Sequence, residues 1–159
     1  PFVLISYFNV APQHYGLYLL MPVLAYICAN LITKQVAGKI DIETLLRLGL
    51  LVTVIGAIIL SGLIFSGFQG AVSLSLAMAV TTFGLGPVFA IVPMRALGAT
   101  GGSIGVASAL VSTIPPIMGG LASASLSVLH DGTSRPLALT VLGMLFIAGF
   151  AYWISLRQA

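Results

Sequence analysis

The chain has 159 residues, of which 59% are hydrophobic and only 6% charged, with a mean hydropathy of +1.17. Soluble domains carry about a quarter charged residues, and a chain of this size cannot hide so much apolar surface from water, so an ordinary soluble fold is excluded and lipid is the solvent that fits. The net charge of +3 is the balance of six basic and three acidic residues, and the basic ones, spread over several loops, form no patch for nucleic acid.

A spanning helix needs roughly 20 mostly apolar residues, so the length admits five full spans and a remnant. The remnant is the first apolar stretch, residues 1–11, too short to cross a bilayer. It starts at Pro1 and lacks the basic flank and cleavage pattern of a signal peptide, so the expectation is that further residues precede it. The polar break Pro12-Gln13-His14-Tyr15-Gly16 leads into a span over 17–33. A charged segment follows, holding Lys34, Lys39, Asp41, Glu43 and Arg47. The next span covers 45–66, Gly67-Phe68-Gln69-Gly70 reads as a tight turn, and the third covers 71–94, closed by Arg95. A short link, Gly98 to Gly102, precedes the fourth span over 103–129. The polar turn His130 to Pro136 precedes the last, 137–156. Each run is continuously apolar, without the alternation of barrel strands. Helices satisfy every backbone group within their own segment. The fold class is therefore all-α and polytopic, with about six helices, the first truncated.

Lys34, Lys39, Arg47, Arg95 and Arg157 fall on one set of alternating loops and Arg135 alone on the other. Positive residues stay in the cytoplasm, which places the C-terminus on the cytoplasmic side and makes the remnant run from inside to outside.

Small residues let helix backbones approach closely in lipid, where no hydrophobic force draws helices together. The fourth span is dense in them: Gly105 and Ala109 lie four apart, as do Gly119 and Ser123, and this face is expected to press against a neighbour. The same span carries Pro115-Pro116, which removes two donors and should bend the helix. Gly84-Leu85-Gly86-Pro87 gives the third span a similar weak point, and broken helices near the midplane often mark transporter sites. Proline is also simply commoner in membrane helices.

All three carboxylates, Asp41, Glu43 and Asp131, and both histidines fall in predicted loops. Intramembrane acids are the usual proton relays, so the chain by itself offers no evident coupling site. The polar residues at depth are neutral: Ser6, Tyr7, Asn9, Tyr26, Asn30, Thr81 and Thr82 among them. They either line a cavity or hold helices together by hydrogen bonds. Cys28, the one cysteine, reads as a small buried apolar side chain. Tyr15, Tyr18 and Trp153 read as interfacial anchors.

Gly101-Gly102-Ser103-Ile104-Gly105 matches the G-x-S-x-G pattern, but that motif needs a strand-to-helix elbow and a partner base. Here it is a link entering a membrane helix, with His14 and His130 predicted on the opposite side of the bilayer. There is no H-E-x-x-H, cysteine pair or phosphate loop. The sequence gives no reason to expect an enzyme, a cofactor or a metal ion.

The loops carry a resemblance. Pro1-Phe2-Val3-Leu4-Ile5 through Val10-Ala11-Pro12-Gln13-His14-Tyr15-Gly16 resembles the seventh helix and following loop of the Bcr/CflA drug:proton antiporters, a branch of the major facilitator superfamily. Gly105-Val106-Ala107-Ser108-Ala109-Leu110 resembles that family's eleventh helix. Leu129-His130-Asp131-Gly132-Thr133 with Pro136-Leu137-Ala138 resembles its loop into the twelfth. The chain departs from the family at Ala37-Gly38-Lys39-Ile40-Asp41, which lacks an arginine-rich run, and at Pro115-Pro116, where polar or small residues are common.

What the resemblance implies is the C-terminal half of a transporter in the cytoplasmic (inner) membrane. Its helices would form two inverted three-helix repeats, and it would be completed by an N-terminal six-helix half. The whole would exchange protons for a drug-like or other small molecule. Tyr7, Asn9, Tyr26, Thr82 and Phe83 are then the candidates for substrate-cavity contact, and Pro87, Pro115 and Pro116 the bending points. The alternative is a non-transporting membrane fragment or scaffold that lacks the coupling half.

Overall fold

The computed structural model describes residues 11, 13–67, 70–98, 104–129 and 135–158. These form five helices: α1 (Tyr15–Val36), α2 (Ile42–Phe65), α3 (Ala71–Gly98), α4 (Ile104–Val128) and α5 (Arg135–Gln158). The described part of the chain is all-helical. Residues 1–10 of the predicted partial helix, Tyr7 and Asn9 among them, lie outside the described residues. So do Ser103, His130 and Asp131.

α1 through α4 are each long and apolar enough to cross a membrane. The 24 residues of α2 rise about 36 Å at 1.5 Å per residue, more than the roughly 30 Å hydrocarbon core. In α5 the described apolar stretch is Pro136–Phe150. The helices run further than their apolar runs alone indicate. α1 extends to Val36 and α2 begins at Ile42, so the charged segment predicted as a loop shrinks to a tight turn over 37–41. Two features make the turn. Gly38 adopts φ +90°, a left-handed conformation that costs other residues a Cβ clash. Asp41 caps α2, its carboxylate accepting from the N–H groups of Glu43 at 3.1 Å and Thr44 at 3.3 Å, which satisfies two of the donors a helix start leaves open.

α3 is the centre of the assembly. α2 packs along one side of it, antiparallel, and α1 along another, in the same direction as α3. The α2–α3 seam is built from small residues. A Cβ on Gly56 would lie 2.5 Å from the Thr81 backbone nitrogen, and one on Gly49 would lie 2.9 Å from the Gly84 carbonyl oxygen and 3.1 Å from Pro87 Cβ. Gly84 in turn sits directly against Thr53. The Thr53 and Thr81 hydroxyls donate within their own helices, to the Gly49 and Ala77 carbonyls at 2.9 Å. Their polar groups are thus spent before the helices meet, and the backbones approach as they would at two alanines. On the α1 side, a Cβ on Gly86 would fall 2.5 Å from that of Ala29.

Two apolar clusters close the ends of this unit. Leu60, Ile64, Leu74, Ala77 and Ala138 join α2, α3 and the start of α5. Leu45, Leu46 and Ile91 join α2 and α3 near the opposite end. At that end Arg95 Nη1 donates to Glu43 Oε2 at 2.7 Å, and Arg47 Nε donates to Glu43 Oε1 at 3.3 Å. Glu43, predicted as a solvated loop residue, is instead in the first turn of α2 and ties it to the last turn of α3.

α4 is different. Ala107 is the residue buried on α4 among its described side chains. The small-residue face predicted to press on a neighbour meets none of the described residues. Gly105 and Gly119 have nothing within 4 Å of a built Cβ, and Ala109 and Ser123 are exposed. The close small-residue contacts are those of α2 and α3, because these helices meet along their whole length and α4 touches its neighbours only locally. Cys28 is likewise exposed rather than buried, since α1 meets α3 along the face that carries Pro22, Ala29 and Thr33.

Candidate functional site

An apolar cavity of about 430 Å³ lies between α3 and α4. α3 supplies Val88, Phe89, Val92, Pro93 and Ala96, and α4 supplies Ala107, Leu110, Val111, Ile114 and Pro115. Ala107 is the buried residue of the cavity's α4 lining, and Leu110, Ile114 and Phe89 are about half exposed along it.

Phe89 joins the cavity to α1. Its ring meets that of Tyr26 edge-on, with centroids 6.4 Å apart and planes at 82°, the geometry in which the positive edge of one ring faces the negative face of the other. Both rings are partly open, Tyr26 at 37% and Phe89 at 46% exposure. The result is an aromatic pair at the border of an apolar cavity. This is a surface suited to a flat or greasy molecule, and to a cation placed over a ring face.

The structure separates the sequence-predicted residues into three places. Tyr26 and Pro115 belong to the cavity region. Thr82 belongs to the α1–α3 contact: its hydroxyl lies 3.0 Å from the Pro22 carbonyl oxygen of α1 and 2.9 Å from that of Met78 in its own helix, so its one proton is shared between two helices. Such a bond holds helices together at about 1 kcal/mol in a membrane. Phe83 and Pro87 face a crevice of about 120 Å³ between α1, α2 and α3, together with Ala29, Leu45 and Gly49. Phe83 is therefore not brought next to Tyr26. α3 continues as helix through Pro87 and Pro93, and α4 through Pro115 and Pro116. The segment Gly84-Leu85-Gly86-Pro87, predicted as a weak point, is closely packed, because Gly84 faces α2 and Gly86 faces α1.

No protein-family model matches the chain, and neither a curated protein nor a solved structure matches it.

Phe89 is the residue that sequence reasoning missed. Its helical spacing from Thr82, seven residues on and thus on the same face, was the available signal. The Glu43–Arg95 pair was hidden for another reason: the two residues are 52 apart in sequence, and only the antiparallel register of α2 and α3 brings them together. No group of three or more metal-ligating side chains occurs among the described residues, and Asn30, one of the neutral polar residues expected at depth, donates to the Tyr26 carbonyl at 2.8 Å within α1.

Proposed function

We propose that this chain is one half of a secondary active transporter. It would form one wall of a central cavity and act with an N-terminal six-helix half to export a drug-like or other small molecule in exchange for protons. The observation that carries this reading is the contrast between a locked unit and a loose wall. α1, α2 and α3 are interlocked at Gly49, Gly56, Gly84 and Gly86, whereas α4 borders an apolar cavity of about 430 Å³ beside the Tyr26–Phe89 pair. Apolar pockets with aromatic walls are the usual form of small-molecule sites. Rigid bundles that rock about a midplane site are the usual form of transporters. The resemblance to the Bcr/CflA antiporters supplies the drug class and the coupling to protons.

In this reading Tyr26 and Phe89 contact the substrate, Tyr7 and Asn9 are further candidates for that contact, and Thr82 and Phe83 set the spacing of the helices behind them. Pro115 and Pro116 are the points at which the α4 wall flexes, whereas Pro87 is held in the α2–α3 seam against Gly49. The protonated group would come from the other half, because the described carboxylates, Asp41 and Glu43, both lie at the start of α2 and not at membrane depth.

That same placement favours a second reading, a membrane fragment or scaffold that transports nothing. The separating experiment is efflux of a fluorescent cationic dye from cells expressing the chain alone, or joined to a complementary N-terminal half, with and without a proton gradient. Gradient-dependent efflux from the joined form only is the expected result. Efflux from neither form would favour the scaffold.

A further inference from the structure

We infer that the groove between α2 and α5 seats an anionic phospholipid, with its headgroup at Arg47 and an acyl chain along the apolar floor. The groove has a volume of about 360 Å³ and is lined by Arg47, Leu50, Leu51 and Val54 of α2 and by Leu145, Ala148 and Gly149 of α5. Every lining residue but one is apolar, and the one exception stands at the end of the groove. Arg47 lies five residues into α2, about 8 Å from its start, and Val54 lies about 10 Å deeper. Charge at the membrane-facing end and an apolar channel running inward is the polarity of a phospholipid. Basic pockets between membrane helices on the cytoplasmic side bind anionic headgroups.

Charge complementarity selects the headgroup. Lys34, Lys39, Arg47 and Arg95 stand at this end of the helices against Asp41 and Glu43, an excess of two positive charges. Glu43 is shared between two guanidinium groups, at 3.3 Å from Arg47 and 2.7 Å from Arg95, and Asp41 is engaged in capping α2. The Arg47–Glu43 contact stays in place while the guanidinium meets a phosphate. The Arg47 side chain is 60% exposed, so a headgroup reaches it from the lipid side. Ala148 and Gly149 leave room in the groove: a built Cβ at Gly149 has nothing within 4 Å among the described residues.

The test is native mass spectrometry of the whole chain released from detergent after addition of phosphatidylglycerol or phosphatidylcholine with the same acyl chains. The expected result is retention of phosphatidylglycerol with about fivefold preference, the effect of one basic residue near an anionic headgroup. Arg47→Gln should abolish the preference and leave the weaker retention of phosphatidylcholine. Gly149→Leu should reduce retention of both lipids. Equal retention of the two lipids by the unmodified chain would overturn the proposal, and that comparison needs no variant to fold. So would an Arg47→Gln chain that keeps the preference. A dimer that Gly149→Leu disperses, with no lipid retained, would assign the groove to a second copy instead.

Discussion

At the scale of single residues, what decides the structure is where a side chain is missing. Gly56 and Gly119 are both glycines in apolar helices, and nothing local distinguishes them. A Cβ on the first would meet the Thr81 backbone nitrogen at 2.5 Å, and one on the second meets nothing within 4 Å. Backbone cannot yield as a flexible side chain can, so Gly56→Leu must push α2 away from α3 along the seam. Overpacking of this kind costs about 1–3 kcal/mol or more. Gly119→Leu should stay within about 0.5 kcal/mol, as substitutions away from contacts do. Unfolding of the two variants in mixed micelles checks this, and equal losses would contradict the packing described. Small-residue spacing marks α4 as strongly as it marks α2 and α3, and it identifies helices able to pack closely without identifying those that do.

At the scale of the element, the helix ends are set by local chemistry. The turn between α1 and α2 needs a left-handed residue and a cap, and Gly38 and Asp41 supply them. Asp41→Ala removes an acceptor for two amides and should cost about 0.5–2 kcal/mol, seen as faster hydrogen exchange at Glu43 and Thr44 before any global loss. If exchange there is unchanged, water is capping α2 as well as the carboxylate does. The signals for this turn were legible in Lys34 to Arg47, but the hydrophobic run ends several residues before the helix does. Charged residues in a terminal turn dip out of the membrane without ending the hydrogen-bonded spiral, and an apolar window therefore underestimates helix length.

At the scale of the whole molecule, the contrast is between three interlocked helices and the loosely held α4. Large apolar side chains such as Leu17, Val106 and Phe146 are more than half exposed on α1, α4 and α5, which lipid or a companion bundle can cover without the penalty that water would impose. The cavity between α3 and α4 gives a prediction at this scale, resting on the transporter reading. Val111→Trp places a large ring where Val111 half-lines the cavity, and it should reduce dye efflux by the joined form at least about tenfold while leaving its amount in the membrane unchanged. A tenfold effect corresponds to about 1.4 kcal/mol of lost binding or closure. Normal efflux in this variant would place the substrate path elsewhere.

The sequence by itself determined the solvent, the helical class, the approximate spans and the turn chemistry. These depend on composition, on uninterrupted apolar length and on residues close together in the chain. Tertiary structure alone decided which small residues are contacts, that Tyr26 meets Phe89, that Phe83 lines the crevice between α1, α2 and α3, and that Glu43 joins Arg95 across 52 residues. The physical reason is the uniformity of the helices. When apolar residues surround a helix on all sides, no periodic stripe marks the face that packs, and only the meeting of two backbones selects it.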